Sequence, residues 1–172
     1  MQLTHYKKKA HKDNKAYSDV VMSPKELAHR IVDHLSPSGK VLEPCRGDAP
    51  YSYYSHPAFT DWCEARENKN FFDWTEHVDW TITNPPYSIF AQFLEACLVV
   101  SDNVVLGPIH TTMLISSKKR MRMMKAYGFG IKEIIIFDTP IKPWPQTGFQ
   151  YCVYHLKKGW QGNITFTDWT TQ

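Results

Sequence analysis

The sequence has no long apolar run and no apolar leader. No stretch approaches the roughly 20 consecutive apolar residues that a membrane-spanning helix requires. The first residues are polar and rich in lysine, so a secretory signal peptide is not predicted. These two absences argue against a membrane-spanning or secreted protein, and they predict a cytoplasmic protein without a membrane partner.

Closely paired cysteines are also missing. The four cysteines, Cys45, Cys63, Cys97 and Cys152, are widely spaced and form no C-x-x-C pair. Such pairs are typical of zinc sites and redox motifs, so no metal and no disulfide framework are predicted. The chain of 172 residues is 42% hydrophobic, which suits one globular domain with a substantial core.

The net charge of +3 is too small to indicate a nucleic-acid partner, but the positive residues are clustered. Five lysines lie within the first 15 residues, and residues 1–16 are predicted to form a flexible basic arm. A second cluster consists of Lys118, Lys119, Arg120, Arg122 and Lys125. Such patches attract phosphate backbones. For each patch alone, a solvated tail or helix face is an equally good interpretation.

Strand and helix patterns alternate along most of the chain. Ser23 as N-cap and Pro24 at the first helical position predict a helix that ends near Leu35. Further helices are predicted at residues 89–99 and 116–127. Strands are predicted at residues 40–43, 62–64, 71–72, 78–83, 103–106, 131–137, 149–156 and 164–169. The run 131–137 is almost continuously apolar, which predicts a strand buried on both faces. The pattern predicts an α/β sheet, mostly parallel, with an antiparallel strand near the C-terminus.

Unusual residues follow three of these strands where each ends. The first runs into the loop 43–48, with the sequence EPCRGD, and the second ends at Glu64. The strand 78–83 is followed by Asn-Pro-Pro-Tyr at residues 84–87, called the NPPY corner below. Two prolines cannot continue a strand, so this corner is a stiff turn. In open α/β sheets ligands bind beyond the carboxyl ends of the strands, where these segments are expected to converge.

Two segments resemble motifs of a known family. VLEPCRGDAPY resembles the cofactor loop of S-adenosylmethionine-dependent amino-methyltransferases, and NPPY resembles their catalytic tetrapeptide. Over roughly residues 17–159 the chain is similar to the small N6-adenine DNA methyltransferases often found in phages. The resemblance implies a Rossmann-like class I methyltransferase sheet in one catalytic domain, residues 17–172. It also implies S-adenosyl-L-methionine as cofactor, DNA as partner, and a bacterial or phage-infected host cell.

The resemblance assigns catalytic roles to the NPPY corner. The Asn84 side chain and the Pro85 carbonyl would accept hydrogen bonds from an adenine amine, whose lone pair is otherwise spread into the ring. Pro85 and Pro86 would hold these acceptors still, so that little reorganisation is needed in the transition state. Tyr87 would offer a flat face to a base flipped out of the duplex.

The resemblance also implies a set of cofactor-binding residues. Glu43 would lie near the charged amino-acid part of the cofactor, and Glu64 would accept from its ribose hydroxyls. Asn70 stands where the family often has Asp, with Asp73 as a rival, and Ala49 stands where a second glycine is common. The full set is Ser23, Glu43, Pro44, Gly47, Asp48, Glu64, Asn70 and Asn84.

Substrate recognition is left open. The catalytic elements use nearly all of the chain, which leaves a minimal enzyme, a subunit with a recognition partner, a homodimer or a degenerate copy. The candidate nucleic-acid contacts are Tyr87, Lys118, Lys119, Arg120, Arg122 and Trp144. A structural or surface role is favoured for His110. The alternatives to DNA methylation are transfer to RNA or to a protein glutamine amide, and a catalytically silent module that binds cofactor or nucleic acid.

Overall fold

The computed structural model describes residues 21–48, 52–140 and 144–170, so the predicted basic arm lies outside the described residues. Seven strands of the described residues form one sheet in the order β2-β1-β3-β4-β6-β5-β7. The strands are β1 (Val41–Glu43), β2 (Asp61–Trp62), β3 (Val78–Thr83), β4 (Ser101–His110), β5 (Phe129–Phe137), β6 (Tyr151–Lys158) and β7 (Thr165–Asp168).

Strand direction follows the predicted α/β pattern. The pairs β2–β1, β1–β3, β3–β4 and β5–β7 are parallel, whereas β6 lies antiparallel between β4 and β5. The carboxyl ends of β1, β3, β4 and β5 therefore lie at one edge of the sheet, together with the start of β6. There Tyr151 pairs with both His110 and Phe137. This edge carries the segments that the sequence predicted to converge.

Helices cover both faces of the sheet. They are α1 (Lys25–Leu35), α2 (Phe90–Val100), α3 (Thr112–Ile115) and α4 (Lys118–Ala126). Single 3-10 turns occur at Tyr53–Ser55, Ala65–Glu67, Phe71–Asp73 and Tyr87–Ile89.

Neighbouring residues of each strand bury their side chains in different cores, because successive side chains point to opposite faces. Val41 of β1 belongs to a core that includes the buried face of α1, whereas Leu42 belongs to the core under α2. Helix α2 buries Phe90, Phe93, Leu94 and Cys97 as its spacing predicted. Each fully buried apolar side chain of this size contributes about 1.5–3 kcal/mol.

Three local predictions are wrong. Phe71 and Phe72 lie in a 3-10 turn rather than a strand, because the Asn70 side chain accepts a hydrogen bond from the Phe72 amide and closes the turn. Ser23 does not cap α1, which begins at Lys25 after Pro24, without a side-chain cap. Strand β5 alternates buried and half-buried residues, since one of its faces is only partly covered.

No helix in the described ranges has the length and apolarity to cross a membrane. In the same ranges no group of three or more His, Cys, Asp or Glu side chains could hold a metal ion.

We expect His155 to make the fold acid-sensitive. Its imidazole is buried in β6, stacks on Trp80 and is hydrogen-bonded to Asn103. Burial, followed by the nearby charge of Lys132, lowers the pKa of His155 to about 4. The unfolded chain, with a His pKa of about 6.5, therefore takes up a proton first as the pH falls, and stability is lost between pH 6.5 and 4.

The variant His155→Gln keeps an amide donor for Asn103 but cannot titrate. Urea unfolding at pH 7.5 and pH 5 measures the effect. From pH 7.5 to 5 the wild type should lose about 2 kcal/mol more stability than the variant. Equal losses in the two proteins would show that His155 is not the acid-sensitive group.

Candidate functional site

A cavity of about 280 Å³ opens at the carboxyl edge of the sheet, beyond β1, β2 and β3. Its wall consists of the loop after β1, the turns after β2, the NPPY corner and residues 21–23 before α1. Of the residues that the sequence predicted to bind a cofactor, those at the cavity are Ser23, Glu43, Pro44, Gly47, Glu64, Asn70 and Asn84. Four segments far apart in the sequence thus meet around one space.

Glu43 is a buried carboxylate at this cavity, with an exposed fraction of 2%. It ends β1, and its Oε2 accepts a hydrogen bond from the backbone amide of Tyr54. Burial raises the pKa of Glu43 well above its ordinary value, although the amides of Tyr54 and Tyr53 and the charge of Arg46 oppose the effect. A cationic group in the cavity would offset this cost of burying a negative charge.

Glu64 joins the loop after β1 to the turn after β2. Its Oε2 accepts from the Gly47 amide at 2.8 Å, and its Oε1 accepts from the Arg66 Nε at 2.9 Å. Burial disfavours the charge, yet the hydrogen bonds from Arg66 and Gly47 outweigh burial and lower the pKa of Glu64. Glu64 is therefore an anion near neutral pH, held in place before any ligand arrives.

Gly47 has a left-handed backbone conformation in the loop after β1. Its φ is +65°, and a Cβ built there would lie 2.7 Å from the Met22 sulfur. A side chain at this position would be strained and would also press on the segment before α1. Glycine thus lets this segment, the loop and the cavity come together.

Asn84 presents an unused acceptor. Its Nδ2 donates to the Val21 carbonyl at 2.9 Å, which fixes the side-chain amide. Its Oδ1 is buried and accepts no hydrogen bond from the described residues. A buried acceptor without a partner costs free energy, so a donor from a ligand would be favourable at this position.

Two buried hydroxyls at the cavity are in the same condition. Ser23 and Ser52 line the cavity, and neither side chain has a hydrogen-bond partner among the described residues. Because Ser23 does not cap α1, its hydroxyl is available to a ligand. Ser52 had no distinguishing signal in the sequence, since it lies in a loop whose approach to β1 only folding decides.

One wall of the cavity consists of phenylalanine rings, with polar side chains at its two ends. Phe71, Phe72 and Phe93 line it and stack on one another at centroid distances between 5.3 and 6.2 Å. Asn70 and Asp73 lie at the two ends of the same 3-10 turn and also line the cavity. An apolar wall with polar groups at its ends suits a flat heterocycle.

Three predicted residues are outside the cavity wall. Asp48 is exposed and pairs with Arg66 at 3.0 Å. Pro85 is buried behind the corner, whereas Pro86 lines the cavity. Tyr87 is half-buried, and its hydroxyl donates to the Pro108 carbonyl at 2.9 Å, so the ring points along the sheet edge toward β4.

Two of the predicted nucleic-acid contacts, Trp144 and Arg120, are engaged with other parts of the protein. Trp144 is 4% exposed and packs edge-on against Tyr151, so its ring is not available to DNA, and this prediction is wrong. Arg120 donates to the Met113 carbonyl and lies over the Phe90 ring, and burial lowers its pKa. The other three predicted contacts on α4 are exposed, as the prediction requires: Lys118, Lys119 and Arg122.

Comparisons with known proteins show the fold. No protein-family model and no curated protein matches the sequence. The modification subunit of a putative type I restriction enzyme from Vibrio vulnificus YJ016 matches with a TM-score of 0.60 and 13% identity, over 88% of this chain and 47% of that one. A chain from a structural study of the type I R-M system matches with a TM-score of 0.56 and 10% identity, over 85% and 44%. This chain spans about half the length of both. At these identities the match establishes the Rossmann-like methyltransferase fold, as predicted.

We expect ionisation of the buried Glu43 carboxyl to destabilise the protein without ligand as the pH rises. Because the pKa of the folded state is raised, the stability that Glu43 contributes is full below its unfolded pKa and is lost as the pH rises. The variant Glu43→Gln should therefore gain stability over the wild type as the pH increases from 5 to 9, as measured by urea unfolding. Glu76→Gln, at an exposed carboxylate paired with Lys40, should show no such gain. A pH-independent difference for Glu43→Gln would contradict the assignment.

Proposed function

We propose that the protein transfers a methyl group from S-adenosyl-L-methionine to the exocyclic N6 amine of adenine in DNA. The observation that carries the proposal is the Asn84 side chain, whose Oδ1 is buried at the cavity wall without a partner among the described residues. The proposal also rests on the fold shared with restriction-modification subunits and on the NPPY sequence itself.

An exocyclic amine of adenine needs an acceptor to become a nucleophile, because its lone pair is delocalised into the ring. A hydrogen bond from the amine to Asn84 Oδ1 draws electron density back to the nitrogen. The hydrogen bond from Asn84 Nδ2 to the Val21 carbonyl holds the acceptor in place before the base arrives. Such preorganisation avoids reorganisation in the transition state.

The methyl group would come from the sulfonium of S-adenosyl-L-methionine. The new N–C bond forms as the S–C bond breaks, S-adenosylhomocysteine leaves, and the amine then loses a proton to solvent. No general base is required, because the methylated nitrogen is acidic until it loses that proton. The residues of the site therefore need only to orient the cofactor and the adenine and to complement their charges.

The residues around the cavity fit this cofactor. Glu43 supplies a buried carboxyl group, and a nearby ammonium or sulfonium group would favour its ionised form. Ser23 and Ser52 supply unpartnered hydroxyls, and Glu64 supplies carboxylate oxygens that can accept from ribose hydroxyls. The phenylalanine wall, with Asn70 and Asp73 at its ends, suits the adenine ring.

DNA is favoured as the substrate by the exposed lysines and arginine of α4 and by the fold neighbours. Both neighbours are about twice as long as this chain, so a recognition subunit or a second copy is proposed as the source of sequence specificity. Labelled methyl groups offered with DNA, RNA and protein in parallel test the substrate class. Nucleoside mass analysis of digested DNA then tests for N6-methyladenine. Cofactor binding without transfer to any of the three would support a silent binding module instead.

We expect Asn84→Ala to lower methyl transfer by about 10²-fold or more, the scale of removing one preorganised polar contact. Cofactor affinity should largely persist. Single-turnover transfer and calorimetric cofactor binding measure the two effects. Asn163→Ala is the control, since Asn163 is exposed between β6 and β7 and does not line the cavity. Normal turnover of Asn84→Ala would remove this side chain from the mechanism.

Glu43→Gln should weaken cofactor binding by roughly 10- to 150-fold, because a charge-assisted interaction contributes roughly 1.5–3 kcal/mol. The same substitution is expected to stabilise the ligand-free protein, so instability could not explain the loss. Calorimetry with S-adenosyl-L-methionine measures the affinity. Unchanged affinity would place the cationic end of the cofactor elsewhere.

A further inference from the structure

Three aromatic rings form a row beside the NPPY corner. The Tyr87 and His110 rings lie edge to face at 5.7 Å between centroids, and the Phe149 ring lies 5.1 Å from the His110 ring on a tilt of 36°. These three residues, called the aromatic row, come from the NPPY corner, the end of β4 and the residues just before β6. They meet only because β6 runs antiparallel to β4.

The outer end of the row is open to solvent. Phe149 is 54% exposed, whereas Tyr87 and His110 are half-buried. An exposed phenylalanine forgoes the free energy of burial, and contact with an apolar or aromatic ligand would recover it.

The centre of the row is held in one orientation. His110 Nε2 lies 3.0 Å from the Thr147 hydroxyl, and its ring packs 4.7 Å from the Tyr151 ring. Burial lowers the pKa of His110, so the imidazole is neutral near pH 7. The row is therefore an uncharged, flat surface, which suits the face of a nucleobase better than a phosphate.

We infer that Phe149 stacks on the nucleobase next to the methylated adenine in the substrate strand. This inference rests on the proposed function and on the role that the sequence resemblance implies for Tyr87, whose ring would receive the target base. Successive bases of a single strand stack on successive aromatic side chains in proteins that bind such strands.

The spacing of the row fits neighbouring nucleotides. The two centroid distances place the Tyr87 and Phe149 rings at most about 11 Å apart. A stacked strand rises about 3.4 Å per nucleotide, and an unstacked strand spans more. A strand whose target base lies on Tyr87 can therefore bring the next base to Phe149. Specificity for that neighbouring base would come from stacking strength rather than from its hydrogen-bonding edge.

Phe149→Ala tests the inference, with Phe166→Ala as the matched control. Phe166 is also an exposed phenylalanine, at 64%, but it lies on the edge strand β7. Binding of a fluorescein-labelled, random-sequence single-stranded DNA is measured by anisotropy. We expect Phe149→Ala to bind roughly 5- to 100-fold more weakly than the wild type, the range for loss of one stacked base. Phe166→Ala should bind as the wild type does, and all three proteins should bind the cofactor equally.

A second measurement identifies the base. Methyl transfer is compared on an intact target strand and on strands with an abasic sugar on either side of the target adenine. On one of the two abasic strands, methyl transfer by the wild type and by Phe166→Ala should be slower than on the intact strand, by a similar factor. Phe149→Ala should transfer at the same rate on that strand and on the intact strand. Equal DNA binding by all three proteins would overturn the inference. So would an abasic sugar that slows methyl transfer by Phe149→Ala as much as it slows transfer by the wild type. Absence of DNA methylation by the wild type would instead contradict the proposed function, and the anisotropy comparison would still decide the role of Phe149.

Discussion

The hydrogen bond from Asn84 Nδ2 to the Val21 carbonyl is the constraint on which the site depends. It joins the corner after β3 to the segment before α1, two parts of the chain more than 60 residues apart. It also occupies the donor side of the Asn84 amide, so the acceptor side is left free and buried. The two prolines limit movement of the corner from one side, and Val21 holds the amide from the other. A rigid acceptor at the edge of a cavity is what activation of a planar amine requires.

The surroundings of Glu43 and Glu64 shift the pKa values of these two cavity residues in opposite directions. Burial dominates at Glu43, with its pKa raised, whereas donors from Gly47 and Arg66 prevail over burial at Glu64. Glu64 is thus held as an anion by protein donors before a ligand binds, whereas burial opposes the ionisation of Glu43, which a cationic ligand would favour. The carboxyl group best suited to bind a cationic ligand is thus the one whose ionisation destabilises the ligand-free protein. Binding function and stability therefore conflict at Glu43.

The end of β3 and the NPPY corner were predictable because they depend on local chemistry. Two successive prolines end a central strand, and apolar runs such as residues 78–83 form strands with little help from the rest of the chain. Phe71 and Phe72 were not predictable in this way, because the Asn70 side chain closes a turn that their apolar character does not reveal. The exposure of Trp144 and Arg120 was not predictable either, because it depends on contacts formed in the fold. Trp144 packs against Tyr151, and Arg120 contacts Met113 and Phe90.

The sequence by itself determined the α/β order of elements and the stiff corner at residues 84–87, since both follow from neighbours along the chain. Only the tertiary structure decided which polar groups are used and which are free. Glu64 is occupied, Asn84 Oδ1 is not, and Ser23 leaves its helix uncapped. The physical reason is that hydrogen-bond satisfaction and desolvation are set by whatever lies within a few ångströms in space. Folding brings Val21, Gly47 and Tyr54 to these side chains from segments that the sequence places far away.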